Sequence, residues 1–153
     1  MTAGGYDIAL KLAEQMHAGQ VDKAGQPYIG HLMRVAARLP EGPQREVALL
    51  HDILEDTDMT AERLLNLGFS RQVVDAVVMF THDEKETYDE FIDRVSTNSL
   101  ATMVKIADLE DNMDIRRLPS LADNDVARLR KYLAAWRRLN RLSFYSSAAV
   151  QSL

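Results

Sequence analysis

The stretch from Gln44 to Asp56 constrains this chain more than any other, because it joins an almost wholly apolar helix to a knot of charge. Pro43 suits the first position of a helix, and most residues after it are good helix formers. Val47, Leu50 and Leu54 recur at helical spacing, with Ala48, Leu49 and Ile53 widening the apolar surface. The segment therefore reads as one helix buried on most sides. Its C-terminal end carries His51, Asp52, Glu55 and Asp56. At 3.6 residues per turn His51 lies above Glu55, and Asp52 above Asp56. Carboxylates crowded this closely repel one another and face the negative end of the helix dipole. Burying them without a counter-charge is expensive. The cluster implies a cation, and a metal ion is the simplest candidate.

The chain has no cysteine, so any metal site must be built from His, Asp, Glu, Asn and water. His31 opens a helix just after a glycine, His51 and Asp52 sit on the next one, and Asp108 lies late on a distant one. Two histidines and two aspartates from three helices can converge in the core of a bundle, where such folds place metal sites. Nitrogen and oxygen donors suit manganese, iron, magnesium or zinc, and ligand softness does not choose among them. A metal bound this way would acidify water and polarise a phosphoryl oxygen. Glu55 and Asp56, one turn further along, are placed to take or give protons there.

The rest of the chain supplies a helical scaffold. Ile8, Ala9, Leu12, Ala13 and Met16 share one face of a first helix, from about Tyr6 to Ala18. A loop from Gly19 to Gly30 contains Gly25 and Pro27, and irregular segments of this length are often functional. A second helix, His31 to Leu39, stops at the Pro40 to Pro43 turn, and the Gln44 to Asp56 helix follows. Thr60 caps a short helix ending at Gly68, and Ser70 caps another running to about Thr81. Thr87 and Glu90 have capping-box spacing and open a helix to about Val95. Further helices run from Ser99 to Asn112 and from about Asn124 to Arg141. No segment alternates like a strand, so the fold class is all-α, a compact bundle of about eight helices in a single domain spanning 1–153.

A net charge of −5 argues against a broad nucleic-acid surface, and no apolar run approaches the roughly 18 residues of a membrane span. Asp7, Lys11 and Glu14 interrupt the N-terminus, so a signal-peptide core is absent and the cytoplasm is the expected location. The expected partner is a small molecule rather than a nucleic-acid polymer or a membrane. The sequence leaves the oligomeric state open.

Four motifs occur in order: His17-Ala18-Gly19-Gln20, Lys23 through His31, His51-Asp52-Ile53-Leu54-Glu55-Asp56-Thr57, and Lys105 through Met113. Together they resemble the hydrolase domain of the RelA/SpoT alarmone enzymes, within the HD superfamily of metal-dependent phosphohydrolases. The resemblance spans about residues 6 to 118, and no synthetase domain follows, so a small stand-alone hydrolase is expected. It implies an HD-type helical bundle that removes the 3′-pyrophosphate of guanosine tetra- or pentaphosphate (ppGpp and pppGpp). It also implies that His31, His51, Asp52 and Asp108 hold Mn2+, that Glu55 and Asp56 assist the attacking water, and that Asn112 lies near the nucleotide.

Two positions depart from that pattern. Where the family has a basic pair whose arginine stacks on guanine, this chain has Asp22 and Lys23, and the family's basic residue after the metal-binding aspartate is Leu109. Lys23 remains available to a phosphate. An anion at position 22 predicts weaker binding of the guanosine alarmone, with Asp22→Arg improving it. A different nucleotide or phosphoester is the alternative substrate, and a non-catalytic metal- or nucleotide-binding regulatory module the alternative function. The sequence reads His17 at least as readily as the loop's structural anchor as a catalytic residue, His82 as a surface residue, Arg116 and Arg117 as solvated, and Tyr132 and Trp136 as core.

Overall fold

The computed structural model describes residues 5–151, with side chains through residue 142. Among these residues there are nine α-helices, one 3-10 turn and no strand, only an isolated bridge between Val21 and Pro27. The helices are α1 (Tyr6–Met16), α2 (Ile29–Ala37), α3 (Pro43–Leu50), α4 (Ile53–Asp56), α5 (Ala61–Asn66), α6 (Arg71–Val78), α7 (Tyr88–Val95), α8 (Ser99–Asn112) and α9 (Asp123–Gln151). The 3-10 turn (Ile115–Arg117) links α8 to α9. The fold is the all-α bundle that the periodicity implies.

α3 is the hub, packing against α1, α2, α6 and α8. Val47, Ala48, Leu49 and Leu50 are all fully buried, so the helix has no solvent face at its C-terminal half. Val47, Leu49 and Leu50 each contribute about 1.5–3 kcal/mol of burial, Ala48 less. Leu32, Val35 and Ala36 of α2 and Ala101, Val104 and Ala107 of α8 close the core around it. Local signals set the shorter helices. Thr60, Ser70 and Asn98 each accept a backbone N–H at their helix start, and Thr87 with Glu90 forms a reciprocal capping box. Gly68, at φ 95°, ends α5 with its N–H on Leu65 O and that of Phe69 on Leu64 O, a Schellman turn.

The segment read as one helix from Gln44 to Asp56 is two. α3 stops at Leu50 and α4 begins at Ile53, with His51 and Asp52 in the break. The His51 ring donates from Nδ1 to the Ala48 carbonyl at 2.6 Å, an acceptor that an unbroken helix would offer to the Asp52 N–H. Asp52 adopts φ −99°, ψ 0°, the bridge region where functional residues collect. The break turns both side chains inward, whereas a continuous helix would spread them around its axis.

The loop between α1 and α2 is a small hairpin. Asp22 N–H donates to Gln26 O at 2.8 Å and Tyr28 N–H to Gln20 O at 3.0 Å. Gly25 turns the chain at φ 79°. Among the described residues no helix is long and apolar enough to cross a membrane.

Candidate metal centre

His31 stands in the first turn of α2, His51 in the break after α3, and Asp108 towards the C-terminal end of α8. All three are buried, and one donor atom from each lies within 4.8 Å of the other two. His31 Nε2 is 3.0 Å from Asp108 Oδ1, and His51 Nε2 is 3.3 Å from the same oxygen. Bonds of about 2.1–2.2 Å at right angles put adjacent donors about 3.0 Å apart, so the spacing fits one divalent ion. Asp52 joins from the side, with Oδ2 3.1 Å from His51 Nε2 and accepting the Tyr28 hydroxyl.

Neighbours fix which nitrogen of each ring faces the centre. His51 Nδ1 is committed to the Ala48 carbonyl, which leaves Nε2 buried and, among the described residues, without a hydrogen-bond partner. His31 Nδ1 donates to Asp111 Oδ2 at 2.7 Å, turning Nε2 towards Asp108. Neutral imidazoles held this way would set nitrogen lone pairs against carboxylate oxygens, an arrangement that needs a metal ion or a proton between them. Imidazoles oriented by an outer hydrogen bond are the usual design of a metal site. Without a metal ion, the surrounding carboxylates favour protons on both rings. Burial works against charging His31, but its hydrogen bonds to Asp108 and Asp111 prevail and raise its pKa. His51 rises well above the ordinary histidine value, since Asp52 and Asp108 outweigh its burial. Burial pushes the Asp108 carboxyl up, yet Lys105 and His51 hold it well below the usual range. Asp52 falls to about 2, burial again being overcome by His51. The donor set thus fits a divalent cation in place of two imidazole protons.

Lys105 and Asp111, one turn either side of Asp108 on α8, complete the support. Lys105 Nζ lies 2.9 Å from Asp108 Oδ2 with its side chain 12% exposed. Asp111 is fully buried and accepts from Arg34 Nε at 2.9 Å and Arg117 Nη2 at 3.3 Å as well as from His31. Neither role was read from the sequence. The available signal was spacing, since i−3 and i+3 from Asp108 share its face.

A cavity of about 380 Å³ opens above the cluster, with His31, Asp52, Lys105 and Asp108 at its floor and Asn112 beside them. Its walls include Asp22, Lys23, Arg117, Arg128 and Tyr132. Asn112 donates Nδ2 to Asp108 Oδ1 at 3.0 Å. Lys23 Nζ reaches the Tyr132 hydroxyl at 3.3 Å. Glu55 and Asp56 do not line the cavity: both are exposed. Glu55 accepts the His82 N–H at 3.2 Å, and the Asp56 carbonyl accepts from Gln20 Nε2 at 3.3 Å. Burial, the Asp52 charge and Glu55 raise the Asp56 pKa despite opposition from His17 and His51.

Asp22 differs from the expected free anion. Oδ1 accepts the Ala24 and Gln26 N–H groups at 2.9 and 3.0 Å, and Oδ2 pairs with Arg117 Nη1 at 2.9 Å. Burial raises its pKa, but those two backbone bonds and Arg117 together lower it, so it stays ionised and internally neutralised. Arg117 is accordingly not a solvated surface residue, whereas Arg116 is exposed and pairs with its neighbour Asp114. Tyr132 faces the cavity as well as the core. His17 is buried and anchors the loop through Nδ1 on Gln20 Oε1 at 2.8 Å. His82 stacks on Phe91 with centroids 3.9 Å apart.

No family model matches the chain. Over 116 residues it is 33% identical to a guanosine-3′,5′-bis(diphosphate) 3′-pyrophosphohydrolase of Aquifex aeolicus, covering 69% of this chain and 17% of that protein. It is 34% identical over 121 residues to the bifunctional (p)ppGpp synthase/hydrolase RelA of Mycobacterium tuberculosis, covering 71% of this chain and 16% of the relative. The matched region therefore spans less than a fifth of the length of either relative. Among solved structures the fold is similar to a metazoan ortholog of SpoT that hydrolyzes ppGpp and plays a role in starvation responses. The TM-score is 0.71 at 24% identity, over 88% of this chain and 84% of that one.

Proposed function

We propose, for a chain that resembles the hydrolase region of the RelA/SpoT alarmone enzymes in sequence and in fold, a metal-dependent phosphohydrolase that releases the 3′-pyrophosphate of guanosine tetraphosphate. The observation that carries this reading is the His31, His51 and Asp108 cluster, whose His31 and Asp108 line a cavity walled by Lys23, Arg117 and Arg128. These three residues, with Asp52 beside them, would hold one divalent ion, most simply Mn2+. Such an ion polarises a phosphoryl oxygen and acidifies water.

The chain's own groups supply the rest. Water cleaves the ester between the ribose 3′-oxygen and the pyrophosphate, giving guanosine 5′-diphosphate and free pyrophosphate. Asp56 adjoins Asp52, its N–H donating to the Asp52 carbonyl at 3.0 Å, and its raised proton affinity suits a carboxylate that accepts a proton from water. Glu55 is the neighbouring carboxylate for the return of that proton. Lys23 offers a cation to a phosphate at the cavity mouth. Asn112 fixes Asp108 and borders the space for the nucleotide, and Asp22 shapes the loop that carries Lys23.

Asp22 favours a second reading, the same chemistry on a different nucleotide or phosphoester. No cation stands at the loop position where the alarmone enzymes stack one on guanine. The test is a nucleotide panel with manganese-loaded protein, following pyrophosphate and orthophosphate separately. Pyrophosphate from guanosine tetraphosphate, absent in Asp108→Asn, supports the first reading. Efficient release from another substrate alone supports the second. No release from any member of the panel by metal-loaded protein would sink the hydrolase reading.

A further inference from the structure

Arg117 links two parts of the molecule that the chain brings together from far apart. Its Nη1 holds Asp22 of the α1–α2 loop at 2.9 Å, and its Nη2 holds Asp111 of α8 at 3.3 Å, through Oδ2 and also through the backbone carbonyl. Asp22 in turn receives the Ala24 and Gln26 N–H groups and so sets the shape of the hairpin. Asp111 receives His31 Nδ1 and so sets the ring whose other nitrogen faces the metal centre. Arg34 seconds both contacts, with Nε 2.9 Å from Asp111 Oδ1 and Nη2 3.7 Å from Asp22 Oδ2.

We propose that Arg117 is a positioning residue that couples the substrate loop to the metal centre, with Asp22 and Asp111 as its two anchors. The proposal rests on the reading of the cluster as a metal site. A planar guanidinium with several fixed donors can hold both carboxylates at once, whereas an ammonium on a flexible stem acts as a point charge. Coupling of this kind is reciprocal: whatever tightens His31 steadies the loop, and whatever loosens the loop relaxes His31. Charge alone at position 117 does not suffice, because the link depends on two directions of donation.

The experiment needs no turnover, so it fails separately from the hydrolase reading. Manganese affinity is measured by titration, and exchange of the Ala24 and Gln26 amides is followed with and without manganese, in wild type, Arg117→Met, Arg117→Lys and Asp22→Asn. In wild type, manganese should slow exchange of both amides. Arg117→Met should weaken manganese binding by about 10-fold, the low end for loss of a supporting contact because Arg34 remains. It should also abolish the protection of the loop amides. Arg117→Lys should restore less than half of the lost protection. Asp22→Asn should lose the protection and, by the same reciprocity, weaken manganese binding, but by less than Arg117→Met, since Arg117 still holds Asp111. Asp22→Asn decides the matter if Arg117→Met does not fold. Manganese protection of the loop that persists in Asp22→Asn, or in a folded Arg117→Met, would overturn the proposal.

Discussion

The floor of the cavity is held by short side chains locked into single orientations, whereas its mouth is held by long ones joined through charge. At and just beneath the floor, His31, His51, Asp108 and Asp111 are all buried, and each imidazole is turned by a short bond to a carboxylate or a carbonyl. At the mouth, Lys23 is exposed, Arg117 keeps 29% of its side-chain exposure, and the loop depends on ion pairs that solvent can reach. Preorganised groups at the floor suit chemistry, where a misplaced ligand is costly. Adaptable groups at the mouth suit recognition, where a few tenths of an ångström matter little. A change of substrate is therefore easier to accommodate at the mouth than a change of reaction at the floor.

Breaking the floor should have the largest effect. Asp108→Asn removes the carboxylate shared by both imidazoles and Lys105, so manganese affinity should fall by more than about 100-fold, beyond the loss caused by a supporting residue. Elemental analysis of purified protein reads this directly, and circular dichroism checks that the fold survives the loss of Lys105's partner. Wild-type metal content in a folded Asp108→Asn protein would remove the distinction between floor and mouth.

An intermediate effect is expected between the two regions. Asp56→Asn should lower turnover by roughly 100-fold with unchanged metal content, the usual range for a lost acid or base. Glu55→Gln should cost less, because Glu55 is already engaged by the His82 N–H. Steady-state kinetics of both variants gives the order, and equal losses would show that the two carboxylates act as a unit.

The mouth should give the smallest effect. Asp22→Arg removes the acceptor of two loop N–H groups and sets a third guanidinium beside Arg117 and Arg34. KM should rise about 5-fold with little change in kcat, equivalent to roughly 1 kcal/mol for one part-exposed ion pair. The sequence alone argues the reverse, that arginine at this position improves binding of the alarmone. A lower KM in Asp22→Arg would restore that reading and show that the loop tolerates losing its anchor.

That reversal shows what was legible in the sequence. Helix starts at Thr60, Ser70 and Thr87 were readable because a cap is a contact between residues three apart. His31, His51 and Asp108 were readable because charge on apolar helices demands an explanation and because the motifs resemble a known family. The break at His51 was not readable, since helix propensity favours continuity there and only the pull of the Ala48 carbonyl on the ring opposes it. Asp22 with Arg117, 95 residues apart, and His31 with Asp111, 80 apart, are pairings that only the folded chain creates. A lone sequence shows the sign of each charge and not its partner.

The central claim is that the floor of this cavity binds one divalent ion through His31, His51 and Asp108. Calorimetric titration of manganese into the metal-free protein, between pH 6 and pH 9, tests it most directly. Both imidazoles have pKa values raised above the ordinary 6.5, so protons compete with the ion for both rings, and more strongly as pH falls. The account predicts one ion per chain, protons released on binding, an affinity that climbs with pH until those raised pKa values are passed, and no binding by His51→Ala. Absence of binding in wild type, or an affinity that is flat across this pH range and unchanged in His51→Ala, would contradict it.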